Sequence, residues 1–326
     1  FSWSAILFPK MWYPYLTGWI LIFQISISGG CSYCYLKKFV SKEYALIGSI
    51  MYAFSGYQLI NFVFGDFQNT VAVFPLLLCG VENIIGDEKH TGYKWALHHT
   101  VLTAAVALSA FFNYYLFTQE VLFIVIYYLC RMGRKLFREW RRFVDCLIQG
   151  IIGVMISCIL FYPAFIYAMQ NPRVEQLLPV DQWVDLSRRY FLMLFRSFMF
   201  PAEPMTGYSC IVADNWSSWS AYIPAVGIGI TICFMLEKEK SWLRRMLYFL
   251  LPVVIIPGCN SLMSFGADSN YHRWYFMLVL IAVLATVMRL ERRPQYLGRV
   301  YFVITVLMCA VSLGMVWWDR QRYKMI

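Results

Sequence analysis

The sequence predicts an all-α, polytopic transmembrane bundle of about ten spans, and three observations carry that reading. Of the 326 residues, 60% are hydrophobic and only 14% charged, with a mean hydropathy of +0.57. An ordinary soluble domain carries roughly 25% charged residues. Long uncharged stretches recur from end to end, and they are continuous instead of alternating, which selects helices over a β-barrel. Finally, the cations gather in every second connection between these stretches.

The elements follow in order. Uncharged runs extend over Met11 to Leu36, Tyr44 to Gly65, Phe67 to Val81, Trp95 to Gln119, Val121 to Cys130, Cys146 to Met169, Asn215 to Leu236, Met246 to Ala267, Trp274 to Met288 and Val300 to Trp318. A hydrocarbon core of roughly 30 Å takes about 17 to 25 helical residues to cross. Most of the runs meet that length; the shorter ones need flanking polar residues or a thinned bilayer. The opening FSWSAILFPK and the eleven apolar residues Tyr190 to Phe200, which hold Arg196, are too short to span and read as helices lying at an interface. The whole reads as one membrane domain over 1–326, a piece of a longer protein, with an outer loop region at 170–218.

A net charge of +10 suggests nucleic acid, but the placement of the cations argues against it. Nineteen of the 28 Lys and Arg fall in alternate connections, six of them in RMGRKLFREWRR. Such a bias assigns those connections to the cytoplasm and makes the basic balance topogenic. Asp66, Asn113, the 170–218 region, His272 and Arg273 then face outward. Ten cysteines form no disulfide framework, because Cys31, Cys79, Cys158, Cys233, Cys259 and Cys309 lie within apolar runs. The pair Cys31 and Cys34 in CSYC lacks a second CxxC or a His cluster and reads as small packing residues. No phosphate-binding loop, dinucleotide fingerprint or serine-hydrolase elbow occurs, and Gly227 with Gly229 reads as a helix-packing surface.

Two stretches carry a family resemblance: MYAFSGYQLINFVFGDFQNTVAVFPLLLCGVENII at 51–85 and FFNYYLF at 111–117. With NPR at 171–173 and HRWYFMLVLIAVLAT at 272–286, they resemble the YfhO family of bacterial multi-spanning proteins over most of the chain. That resemblance implies a GT-C type fold and a glycosyltransferase. A sugar would pass from a polyprenyl-phosphate-linked donor to an acceptor, such as a cell-envelope polymer, on the outer side of the bacterial plasma membrane. It also implies a principal catalytic carboxylate in an outer loop upstream of Phe1, with Asp66 as a secondary carboxylate. Asn69 stands where the family places an acidic residue before the PLLL block. Asn113, Tyr114 and Arg173 fall in its other blocks and join the substrate-binding set.

The chemistry of such a transfer needs a carboxylate for the acceptor hydroxyl and cations for the lipid phosphate. Arg273 is the phosphate candidate, since a guanidinium makes paired hydrogen bonds to phosphate oxygens. His272 offers a further donor or a ligand for a divalent metal, Mg or Mn. Trp274, Tyr275 and Phe276 would line the sugar or the first isoprene units. The competing reading of this cluster is an interfacial anchor. For Asp66 the alternative is a solvated turn, and for the outer cations Arg173, Arg188, Arg189 and Arg196 it is ordinary loop charge. Asn113 and Glu120 share one helical face, which points Glu120 toward an outward cavity; a polar contact with a neighbouring helix is its alternative. Glu82, His98 and His99 read as structure near the cytoplasmic end. Two other function classes stay open: a transporter or flippase of lipid-linked saccharides, marked by midplane polarity and broken helices, and a scaffold, which would need neither Arg273 nor Glu120.

Overall fold

The computed structural model describes residues 9–61, 65–86, 92–170, 179, 182–184, 187–200, 219–224, 227–237, 240–266, 271–292 and 298–323. Helices account for the regular structure, and no strand occurs among the described residues. After a short 3-10 turn at Lys10–Trp12 they run α1 Tyr13–Leu36, α2 Lys42–Ala53, α3 Gly56–Ile60, α4 Gly65–Gly86, α5 Tyr93–Phe112, α6 Tyr114–Met132 and α7 Trp140–Met169. Then come α8 Arg188–Met199, α9 Gly227–Leu236, α10 Trp242–Ile255, α11 Pro257–Leu262, α12 Tyr275–Arg292 and α13 Gly298–Tyr323. Several starts are set by local side chains. Asn113 Oδ1 accepts from the Leu116 N–H (3.0 Å), Ser187 Oγ from Tyr190 (3.3 Å) and Ser241 Oγ from Arg244 (3.1 Å), each satisfying an orphan donor of a first turn.

Five described segments are long and apolar enough to cross a membrane: Tyr15–Leu36, Phe67–Gly86, Trp95–Phe112, Tyr114–Phe137 and Trp140–Met169. Gly227–Leu236 and Tyr301–Gly314 are apolar but shorter. Three predicted runs are divided differently. Tyr44 to Gly65 is interrupted between Ala53 and Gly56. The uncharged runs part at Glu120, but the helices part at Asn113, in keeping with the outer turn read for it; its extended backbone and side-chain cap end one helix and start the next. Met246 to Ala267 breaks at Ile256, held extended (φ −100°, ψ 117°) ahead of Pro257, whose ring disfavours a helical predecessor. Hydropathy sums over a window and is blind to all three.

Contacts group the chain into two compact units. The first joins Phe1–Lys38 to Asn61–Leu177. Within it α4 is the buried helix, packed against α1 and α5, and α5 packs in turn on α7. Close approach explains the glycine of the PLLLCG block: a Cβ on Gly80 would meet Leu102 Cα of α5 at 2.8 Å, so only hydrogen fits. Leu77 and Leu78 beside it are wholly buried. By contrast, α1 and α7 turn large apolar side chains outward, among them Trp19, Phe23, Ile159 and Tyr167, as lipid-facing helices do.

The second unit joins Phe39–Ile60 to Leu178–Ile326. Its centre is α12, buried from Tyr275 through Val287 and packed on α9, α2 and α10. Thr231 of α9 and Thr286 of α12 share a hydrogen bond (3.0 Å), and the Thr286 hydroxyl, like that of Thr231, reaches the Gly227 carbonyl. At the opposite end of α12 Arg289 pairs with Glu237 (2.6 Å), while Glu291 accepts from the Ser41 backbone N–H (2.7 Å) at the start of α2. The interface-helix reading of Tyr190 to Phe200 corresponds to α8; the N-terminal FSWSAILF lies outside the described residues.

Candidate functional site

In the second unit, residues 271–276 form a compact polar and aromatic cluster at the head of α12. His272 is 0% exposed, its ring 3.5 Å from the Trp219 ring centroid and 4.7 Å from that of Tyr275, with Tyr190 at 6.4 Å. Trp274, Tyr275 and Phe276 are likewise wholly buried. Trp274 Nε1 donates to Asn260 Oδ1 (2.7 Å), and Asn260 Nδ2 donates to the Tyr271 carbonyl (3.2 Å), so α11 fixes the segment from one side. Tyr190 donates to the Val254 carbonyl (3.1 Å), and burial pushes its hydroxyl above the ordinary tyrosine range, keeping it a donor.

These positions correct one expectation. Trp274, Tyr275 and Phe276 are interior packing and do not line an open sugar site. His272 sits among the rings of Trp219, Tyr275 and Tyr190. Among the described residues no group of three His, Cys, Asp or Glu side chains could hold a metal. The neighbouring Arg273 differs: it is partly exposed, its guanidinium carbon 4.3 Å from the Tyr271 ring centroid, while its carbonyl accepts from Tyr57 Oη at 2.5 Å. Within this cluster the arginine carries charge to the accessible edge, and the flanking residues hold its backbone.

The motif SGY at 55–57 serves that brace. Gly56 N–H donates to the Tyr222 carbonyl (2.8 Å), and a Cβ there would meet Tyr222 Cβ at 2.9 Å, so the glycine admits the segment 219–223 that carries Trp219. Tyr57 then reaches Arg273 and packs its ring 5.4 Å from Phe276. Sequence reading used SGY only as a family mark and missed Trp219, Asn260 and Tyr57 as supports. A polar or small residue interrupting an apolar run was the available signal.

In the first unit the other candidates separate. Asn69 accepts from Gln24 Nε2 (2.7 Å), which also donates to the Gly65 carbonyl (3.1 Å); this lone amide of α1 clamps it to the start of α4. Asn113 caps α6, and Tyr114 opens that helix half-buried. Glu120 is 0% exposed and accepts from the Ser109 hydroxyl of α5, so it faces a neighbouring helix and not an outward cavity. Glu82 is a structural hub, as its position suggested. Arg131 binds it through Nε (2.8 Å) and Nη2 (3.1 Å), Tyr127 donates to it (2.6 Å), and Tyr35 donates to Tyr127 (3.0 Å). The Asp66 backbone lies in the first turn of α4, its side chain outside the described ones; Arg173 and the side chains of Arg188 and Arg189 also lie outside them.

The fold and these clusters define a polytopic helical membrane protein. The chain belongs to the family of the bacterial membrane protein YfhO, whose sequence profile matches residues 1–326. No curated protein and no solved structure matches it.

Proposed function

We propose that the protein is a GT-C type glycosyltransferase that moves a sugar from a polyprenyl-phosphate-linked donor to an acceptor on the outer side of the plasma membrane, through about ten spans. The observation that supports it most is the contrast at 272–274. Two buried aromatic residues flank a partly exposed arginine whose backbone is tied to Tyr57. A guanidinium so placed binds a phosphodiester through two parallel hydrogen bonds and stabilises charge on the departing lipid phosphate. The family resemblance gives Asp66 the part of a secondary carboxylate in the same site.

The test is activity of Arg273 variants in membranes supplied with polyprenyl-phosphate sugar. Arg273→Gln should lower transfer on the order of a hundredfold, and Arg273→Lys should not restore it, since a point ammonium cannot make the paired contact. Protein levels should match the wild type. Full activity in both variants returns Arg273 to an anchor role. A second reading, a transporter or flippase of lipid-linked saccharides, is favoured by the interruptions between α2 and α3 and between α10 and α11. Reconstituted vesicles separate the two: a flippase moves the intact lipid-linked sugar and releases no polyprenyl phosphate.

A further inference from the structure

The first unit contains an apolar cavity of about 380 Å³ bounded by α4, α5, α6 and α7. Its α7 wall is Phe143, Cys146, Leu147, Gly150, Ile151 and Val154, spaced three and four apart as one helical face. The cavity opens outward, because Val121, Val125, Leu147 and Ile151 on its rim are exposed. One end is basic. Immediately before Phe143 the chain runs Arg138, Glu139, Trp140, Arg141, Arg142. Arg142 pairs with Glu139 (2.6 Å) and donates to the Ile85 carbonyl at the end of α4, which fixes this end of the groove and neutralises one of its two acids; the other, Asp145, leaves the end net basic beside Arg138 and Arg141. Arg138 and Arg141 are exposed, with Trp140 between them.

From this charge complementarity we infer that the groove holds one acyl chain of an anionic glycerophospholipid, its headgroup phosphate meeting Arg138 and Arg141. Apolar walls take the chain; two cations beside an interfacial tryptophan take the charge. This site is independent of the proposed sugar transfer. Two glycines make it testable without disturbing the fold. A Cβ on Gly150, inside the groove, meets nothing within 4 Å, and the same is true of Gly18 on α1. Gly150→Phe therefore fills the groove, and Gly18→Phe adds the same bulk elsewhere.

The experiment reconstitutes the full chain in nanodiscs of equal phosphatidylglycerol and phosphatidylcholine, extracts it into mild detergent, and weighs the retained lipid by mass spectrometry. Wild type and Gly18→Phe should retain phosphatidylglycerol over phosphatidylcholine by roughly thirtyfold, at about 1 kcal/mol for each of the two cations. Gly150→Phe should lose the retained lipid, and Arg138→Gln with Arg141→Gln should remove the preference. Equal retention of both lipids by the wild type overturns the inference, as does unchanged retention in Gly150→Phe. Loss in Gly18→Phe equal to that in Gly150→Phe also overturns it, since the groove would then be irrelevant.

Discussion

At the scale of the residue, Gly56 and Tyr57 connect distant parts of the second unit. Gly56 lets the backbone of residues 219–223 approach, and Tyr57 ties down the carbonyl of Arg273. A methyl at position 56 must displace Tyr222, a form of overpacking that costs about 1–3 kcal/mol. Gly56→Ala should therefore lower the thermal midpoint of the detergent-solubilised protein. Tyr57→Phe keeps the ring against Phe276 and removes one hydrogen bond, a loss of about 1 kcal/mol. The two variants are distinguishable if the brace matters for function. Tyr57→Phe should reduce activity beyond its small stability loss, whereas a purely packing role predicts that activity follows stability alone.

At the scale of the element, the first unit holds a buried carboxylate among α1, α4 and α6. Glu82, whose side chain is 5% exposed, takes both hydrogen bonds of the Arg131 fork and one from Tyr127. Removing one partner of such a pair strands the other charge, at a cost of about 3 kcal/mol, the lower end of the buried range because Arg131 is partly exposed. Glu82→Gln and Arg131→Gln should each destabilise the protein strongly. The pair Glu82→Gln with Arg131→Gln should lose less than the sum of the single changes, since neither charge is left behind. Thermal unfolding of the four proteins checks this; strict additivity would show that the fork is not coupled. Interruptions between helices belong to the same scale. Pro257 was visible in the sequence, but Gly56 read as part of a family motif within a span until its contact with residues 219–223 was known.

At the scale of the whole molecule, the charge pattern makes a prediction about sidedness that each functional reading needs. In a background without its cysteines, Gln182→Cys should react with an impermeant thiol reagent on intact cells and Lys135→Cys should not; both positions are exposed, so silence cannot be blamed on burial. Labelling of Lys135→Cys from outside overturns the topology and moves Arg273 to the other face. The same pattern was the most legible part of the sequence, because a bilayer reads hydropathy and charge as sums along the chain and needs no tertiary contact to do so.

The candidate cluster was legible only in part. His272 and Arg273 are adjacent and share one position relative to the apolar run, so sequence assigns them one environment. Packing of Trp219 on the imidazole buries one ring completely, while the next side chain stays partly exposed. Glu120 shows the same limit: helical spacing set its face, but Ser109 on the preceding helix decided where that face points. By itself the sequence determined a helical membrane protein, its family and the alternation of its cations, all of which follow from local composition. Which side chains are sealed, which helices break and which arginine stays accessible were decided by contacts between residues far apart in the chain, and that information exists only once the helices have packed.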